Sequence, residues 1–158
     1  MIIVGYPGIG KTITAINDHE REYIDLDSSL FRVAPRDAMD VEIYCKVAVS
    51  LNDRGFKVFV SSHDFVSRYL LENYPNRDIV MCLPDAKLKT AWIRRLRDRY
   101  MTDGSEKNKR ALMHVLDNFD RDIEHMNNYG FPSLAIDRLD YNLRDLLEEW
   151  EAYRHDQT

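Results

Sequence analysis

Gly5-Tyr6-Pro7-Gly8-Ile9-Gly10-Lys11-Thr12 decides how the rest of this 158-residue chain is read. The stretch matches G-x-x-x-x-G-K-[ST], the phosphate-binding P-loop. Its glycines let the backbone curl until several N–H groups point into one concavity, which suits an anion. The positive end of the following helix adds to that field. Lys11 is placed to neutralise β/γ-phosphate charge, and Thr12 to offer a hydroxyl to Mg²⁺. The residues expected around the phosphates are Gly5, Tyr6, Pro7, Gly8, Ile9, Gly10, Lys11, Thr12 and Ile13.

The flanks agree with the motif. Met1-Ile2-Ile3-Val4 is a short β-branched run of the kind that forms a buried parallel strand, and Thr12 to Asn17 reads as a helix start. Further strands are expected at 22–27, 56–60, 78–83 and 131–136. Helices are expected at 38–53, 65–74, 87–100, 107–126 and 139–153, with a frayed tail from His155 to Thr158. Residues 28–37, containing Pro35, and 102–106, containing Gly104, read as loops. Five strands alternating with helices predict a three-layer α/β domain over residues 1–158, its parallel sheet covered on both faces. Ligands of such sheets bind at the carboxyl ends of the strands, so the residues just after each strand are the next to inspect.

The second strand finishes in Asp25-Leu26-Asp27, whose carboxylates share one side at the two-residue period. Beside a P-loop, Asp25 suits Mg²⁺ binding, and Asp27 suits orienting or deprotonating an acceptor. The third strand empties into Ser61-Ser62-His63-Asp64, where motor ATPases and switch GTPases need a carboxylate. Ser61, Ser62 and His63 are therefore expected to contact substrate, although His63 equally suits a helix N-terminus. Arg32 and Arg36 sit where an acceptor phosphate would dock. Between Lys87 and Tyr100 the apolar stripe is Leu88, Trp92, Leu96 and Tyr100, with Arg95 and Arg99 beside it and Arg94 and Arg97 opposite. The planar, permanently charged forks of Arg95 and Arg99 make them the candidates for clamping phosphates. The cation-flanked segment that follows, to Arg110, is expected to act as a lid that excludes water.

A net charge of −5 supplies no global field for nucleic acid. Cys45 and Cys82 match no metal or redox spacing and read as buried thiols of a reducing compartment. No apolar run is long enough for a bilayer, and the first strand begins at the first residue. The expectation is a cytoplasmic protein, monomeric or homodimeric, with no membrane partner.

By element order, and by three local matches, the chain resembles the small P-loop kinases: the nucleoside-monophosphate kinases and their shikimate and gluconate kinase relatives. Gly5 to Thr12 looks like the ATP loop of that group. Tyr23-Ile24-Asp25-Leu26-Asp27 is similar to the aspartate pair of shikimate kinases, and Arg95-Leu96-Arg97-Asp98-Arg99 to the R-L-x-x-R that opens the lid of several nucleotide kinases. The resemblance implies a sheet of order 2-3-1-4-5 with a lid over about residues 95–110. It implies ATP and Mg²⁺ as cofactors. It also implies transfer of a γ-phosphoryl group to a small acceptor, foremost a nucleotide or nucleoside. The alternatives are a 5′-hydroxyl polynucleotide kinase, a shikimate- or gluconate-type kinase, and a nucleotide-binding regulator without transfer. The chain departs from nucleotide kinases after the third strand, where Ser61-Ser62-His63-Asp64 replaces their aspartate, glycine and arginine.

Overall fold

Ile2, Ile3 and Val4 are all fully buried, although consecutive strand residues point to opposite faces. Both faces of the sheet are therefore covered at its centre, as a parallel sheet requires. The computed structural model describes residues 1–36 and 38–156. In it, strand β1 (Ile2–Gly5) is flanked on both sides by parallel strands. The other members of the sheet are β2 (Tyr23–Asp25), β5 (Lys57–Ser61), β6 (Ile79–Pro84) and β7 (Ser133–Ile136). Their order is β2-β5-β1-β6-β7, all parallel.

The label order differs from the expected 2-3-1-4-5 because the chain has two more strands than expected. Arg32–Val33 (β3) and Ala38–Met39 (β4) form a separate antiparallel hairpin within the stretch read as a loop. Strands of two residues are too short for an alternation pattern to register. A 3₁₀ turn at Ser28–Phe31, capped by Asp27, leads into the hairpin. Asp40 then caps α2 (Val41–Asp53) by accepting from the Ile43 amide, so that helix starts three residues later than expected.

The remaining helices are α1 (Lys11–Ile16), α3 (Asp64–Asn73), α4 (Lys89–Asp103), α5 (Glu106–Asn128) and α6 (Leu143–Asp156). The expected loop at 102–106 is the largest departure. Helix α4 runs on through Asp103, and only Gly104 and Ser105 separate it from α5. The Gly104 amide returns to Tyr100 O at 2.7 Å, Asp103 accepts from the Ser105 amide, and the Ser105 hydroxyl caps the Asn108 amide at 3.2 Å. Polar composition alone hides such paired caps. His155 and Asp156, expected to fray, are helical, while Gln157 and Thr158 lie outside the described residues. Among the described residues, no helix is long and apolar enough to cross a membrane.

One buried ion pair ties the sheet edge to the last helix. The Asp18 side chain is 0% exposed; it accepts from the Tyr23 amide at 2.7 Å and from Arg144 Nη1 at 3.3 Å. Burial pushes its carboxyl upward, but the amides of Tyr23, Glu22 and Glu20 and the Arg144 charge outweigh that, and the net shift is downward. A depressed folded value stabilises the protein above the unfolded aspartate value of about 3.9, and that contribution is lost as pH falls below it. Asp18→Asn is expected to cost about 1–3 kcal/mol at pH 7. In urea unfolding, the gap between wild type and variant should narrow as pH falls below about 3.9, and a gap independent of pH would refute the assignment.

Candidate functional site

The loop from Gly5 to Thr12 is held from below by apolar anchors and from the side by two aromatic donors. Tyr6 and Ile9 are fully buried, so they present only backbone to the concavity. The Trp92 indole donates to Pro7 O at 2.8 Å, and the Tyr141 hydroxyl donates to Ile9 O at 2.7 Å. Gly8 and Gly10 have φ of 84° and 107°, which L side chains rarely adopt. A Cβ at Gly8 would also stand 2.9 Å from Leu96 Cδ2. Helix α1 has only six residues, so its end field is weaker than a longer helix would give. Ile13 is largely exposed beyond the loop.

Lys11 folds back over the loop. Its ammonium donates to Gly5 O at 2.6 Å and to Tyr6 O at 3.4 Å. A Cβ at Gly5 would lie 2.7 Å from Lys11 Cδ, so the bare glycine backbone is what lets the lysine stem lie down. Loss of water around the ammonium lowers its pKa to about 8, and the charges of Lys107 and Arg99 add to that shift while Asp25 opposes it. The buried Cys82 thiol beneath it is pushed up to about 12 by burial and stays protonated.

At the end of β2, the Thr12 hydroxyl donates to Asp25 Oδ2 at 2.6 Å. These two hard oxygens beside the glycine loop could hold a magnesium ion. Among the described residues no group of three or more His, Cys, Asp or Glu side chains could hold a metal. Asp27 caps the 3₁₀ turn through the Ser29 amide at 2.9 Å and faces Lys107 Nζ at 3.5 Å. Partial burial raises the Asp27 carboxyl, but Ser29 and Lys107 more than offset this and hold it below its ordinary value. A carboxylate so held is a poor proton acceptor and a good orienting group.

Arg95 lies between two rings, its guanidinium 5.3 Å from the Trp92 centroid and 5.2 Å from that of Tyr141. It therefore abuts the two side chains that brace the loop. Arg99 donates to Asn108 Oδ1 at 2.9 Å, and the buried Asn108 donates to Asp103 at 2.6 Å. Arg95 and Arg99, with Arg94, Asn108 and Leu139, line a cleft of about 620 Å³. Residues 5–12 are not in its lining. This cleft thus neighbours the loop through Arg95 and does not coincide with it. Arg97 is exposed, as expected.

Ser61 pairs in register with Gly5, which puts the end of β5 beside the loop. Its amide donates to Tyr44 Oη at 2.9 Å, and the Tyr44 hydroxyl donates to Leu26 O at 2.9 Å. Tyr44 thus fastens the ends of β2 and β5 together. The Ser61 hydroxyl is buried without a hydrogen-bond partner, and Ser62 is half-buried next to it. His63 sits at the N-cap position of α3 but makes no capping bond. Arg32 is exposed on the hairpin, and Arg36 follows it before β4.

Among the expected residues, Thr12 meets Asp25, Asp27 faces Lys107, and Arg95 shares a cleft with Arg99. Sequence reasoning missed Tyr44 and Tyr141, gave Asn108 no role beyond its place in the expected lid, and took Trp92 for plain core. The only local sign was that each is a polar-tipped residue at a buried position of its helix or loop. Comparison of the chain with models of the known protein families and with the curated proteins finds no match.

Proposed function

We propose that the chain is a Mg·ATP-dependent phosphotransferase acting on a small acceptor, foremost a nucleotide or nucleoside. One observation carries this reading: the 2.6 Å bond between Thr12 and Asp25 at the mouth of a glycine loop that holds Lys11. The pair has the donor set for a magnesium ion, and the loop has the cradle for the phosphates beside it. When bound, Mg·ATP supplies the phosphoryl group and a divalent charge that screens it.

The loop amides and Lys11 grip the β- and γ-phosphates. Lys11 leaves the carbonyls of Gly5 and Tyr6 to do so. Arg95 and Arg99 face the charge that develops on the migrating group. Asp27 would orient the acceptor toward the γ-phosphoryl group that Mg·ATP would supply, with ADP as the leaving group. An acceptor phosphate has no proton to lose at neutral pH, which fits a carboxylate held below its ordinary value. The turn at Gly104-Ser105 would hinge any closure, since α4 and α5 are otherwise continuous helix. A screen of ADP release over nucleoside monophosphates, nucleosides and small hydroxy acids tests the reading. Absence of magnesium-dependent affinity for every nucleoside triphosphate would end it.

The lowered Lys11 value has a signed consequence. Between about 8 and the unfolded lysine value of about 10.4, the unfolded chain binds more protons, so ligand-free stability rises with pH there. Nucleotide binding needs the ammonium and runs the other way, with affinity falling as pH climbs past about 8. Calorimetric titration of Mg·ATP at pH 7 and pH 9 should show the loss, and Lys11→Arg should abolish it. Equal affinities in the wild type would remove Lys11 from the phosphate site.

A further inference from the structure

At the end of β5 is a pair of rings to which the mechanism gives no role. The imidazole of His63 lies nearly parallel to the ring of Phe65, with centroids 5.0 Å apart and planes 16° from each other. Phe65 is 47% exposed, although its helix buries Val66 and Leu70 and has a core to offer. His63 is exposed as well and does not cap the helix it precedes. Its side chain is thus not engaged in holding the helix end.

The surroundings of the pair come from three separate parts of the chain. His63 feels the charges of His114 and Asp122 from α5, Lys11 from the loop and Arg32 from the hairpin. His114 and Asp122 are themselves joined at 2.5 Å, and Asp122 also accepts from Arg121 at 3.1 Å. Crowding by protein, then His114, Lys11 and Arg32, keep the imidazole below its ordinary value, so it is a neutral ring at physiological pH. The unpartnered, buried hydroxyl of Ser61 lies two residues before it. A flat neutral stack within the field of the Lys11 and Arg32 charges is complementary to a ligand with an aromatic ring at one end and an anion at the other.

We infer that the His63–Phe65 pair is the stacking face for the base of a nucleoside monophosphate, whose phosphate points toward Lys11 and Arg32. The inference rests on the phosphotransferase reading and narrows its acceptor. A hydroxy acid has no ring to stack, and a bare sugar phosphate would use the cations alone.

The test is equilibrium binding to the full chain, without donor. The four common nucleoside monophosphates are compared with ribose 5-phosphate, which has the sugar and phosphate but no base. At least one monophosphate is expected to bind at least ~10-fold tighter than ribose 5-phosphate, the scale of one base on one aromatic ring. Phe65→Ala should erase that difference and Phe65→Tyr should keep it, while Mg·ATP affinity stays unchanged in both. Phe65 is substantially exposed, so the alanine variant should fold, and far-UV circular dichroism confirms it. Equal binding of ribose 5-phosphate and all four monophosphates overturns the inference, as does a base preference that survives Phe65→Ala. A parallel fall in Mg·ATP affinity would assign the face to the donor and also overturn it. So would tighter, steeply salt-dependent binding of a 5′-hydroxyl oligonucleotide, which marks a polynucleotide acceptor. Failure with wild-type Mg·ATP affinity intact sinks this inference alone, whereas loss of that affinity in the wild type sinks the phosphotransferase reading beneath it.

Discussion

On the phosphotransferase reading, Lys11→Ala should cut phosphoryl transfer at least ~10²-fold and leave the protein folded, the scale of losing one preorganised charge contact in a water-poor site. The ammonium donates to the carbonyls of Gly5 and Tyr6. It is also held in a place that disfavours its charge. Truncation therefore removes a group whose charged form folding opposes, and thermal stability should hold or rise slightly. The two halves of the expectation are read separately, by coupled ADP release and by melting temperature. Wild-type-like turnover in a folded variant would refute the role. A large drop in melting temperature would make the lysine structural instead.

Trp92→Ala should have the largest effect on stability, about 3–5 kcal/mol. Against a total of about 5–15 kcal/mol for an ordinary domain, that is a large fraction. Trp92 is fully buried, stacks on Tyr141 with planes 7° apart and contributes the indole donor to Pro7 O. Three consequences follow from one side chain: a cavity, an unsatisfied loop carbonyl and an Arg95 without one of its two rings. Trp92→Phe separates them. It keeps most of the volume and loses only the donor, so it should cost about 1–2 kcal/mol. Mg·ATP affinity should nonetheless fall, because the loop has lost one of its two aromatic donors. Urea unfolding and nucleotide titration of both variants check this. Unchanged affinity in Trp92→Phe would show that the indole bond does not set the shape of the loop.

Much of the architecture was legible without coordinates, because short apolar β-branched runs and helical stripes are local patterns. Ile2 to Gly5, Ile79 to Leu83 and the stripe of Trp92 and Leu96 all lie where that pattern puts them. The hairpin of β3 and β4 was not legible, since pairs of two residues carry no period. The shortness of the break between α4 and α5 was hidden for another reason: the polar residues 102–106 read as a loop, while the caps of Gly104 and Ser105 are specific to single atoms.

The sequence by itself determined that a glycine loop joins a buried strand to a helix at Lys11, and that acidic and cationic residues follow later strands. Only the tertiary structure decided which of those residues meet. Trp92 reaches Pro7 across 85 positions, and Tyr141 reaches Ile9 across 132. Lys107 reaches Asp27 across 80. Such contacts depend on how whole helices pack against the sheet, and no local spacing encodes the direction in which a buried donor will point.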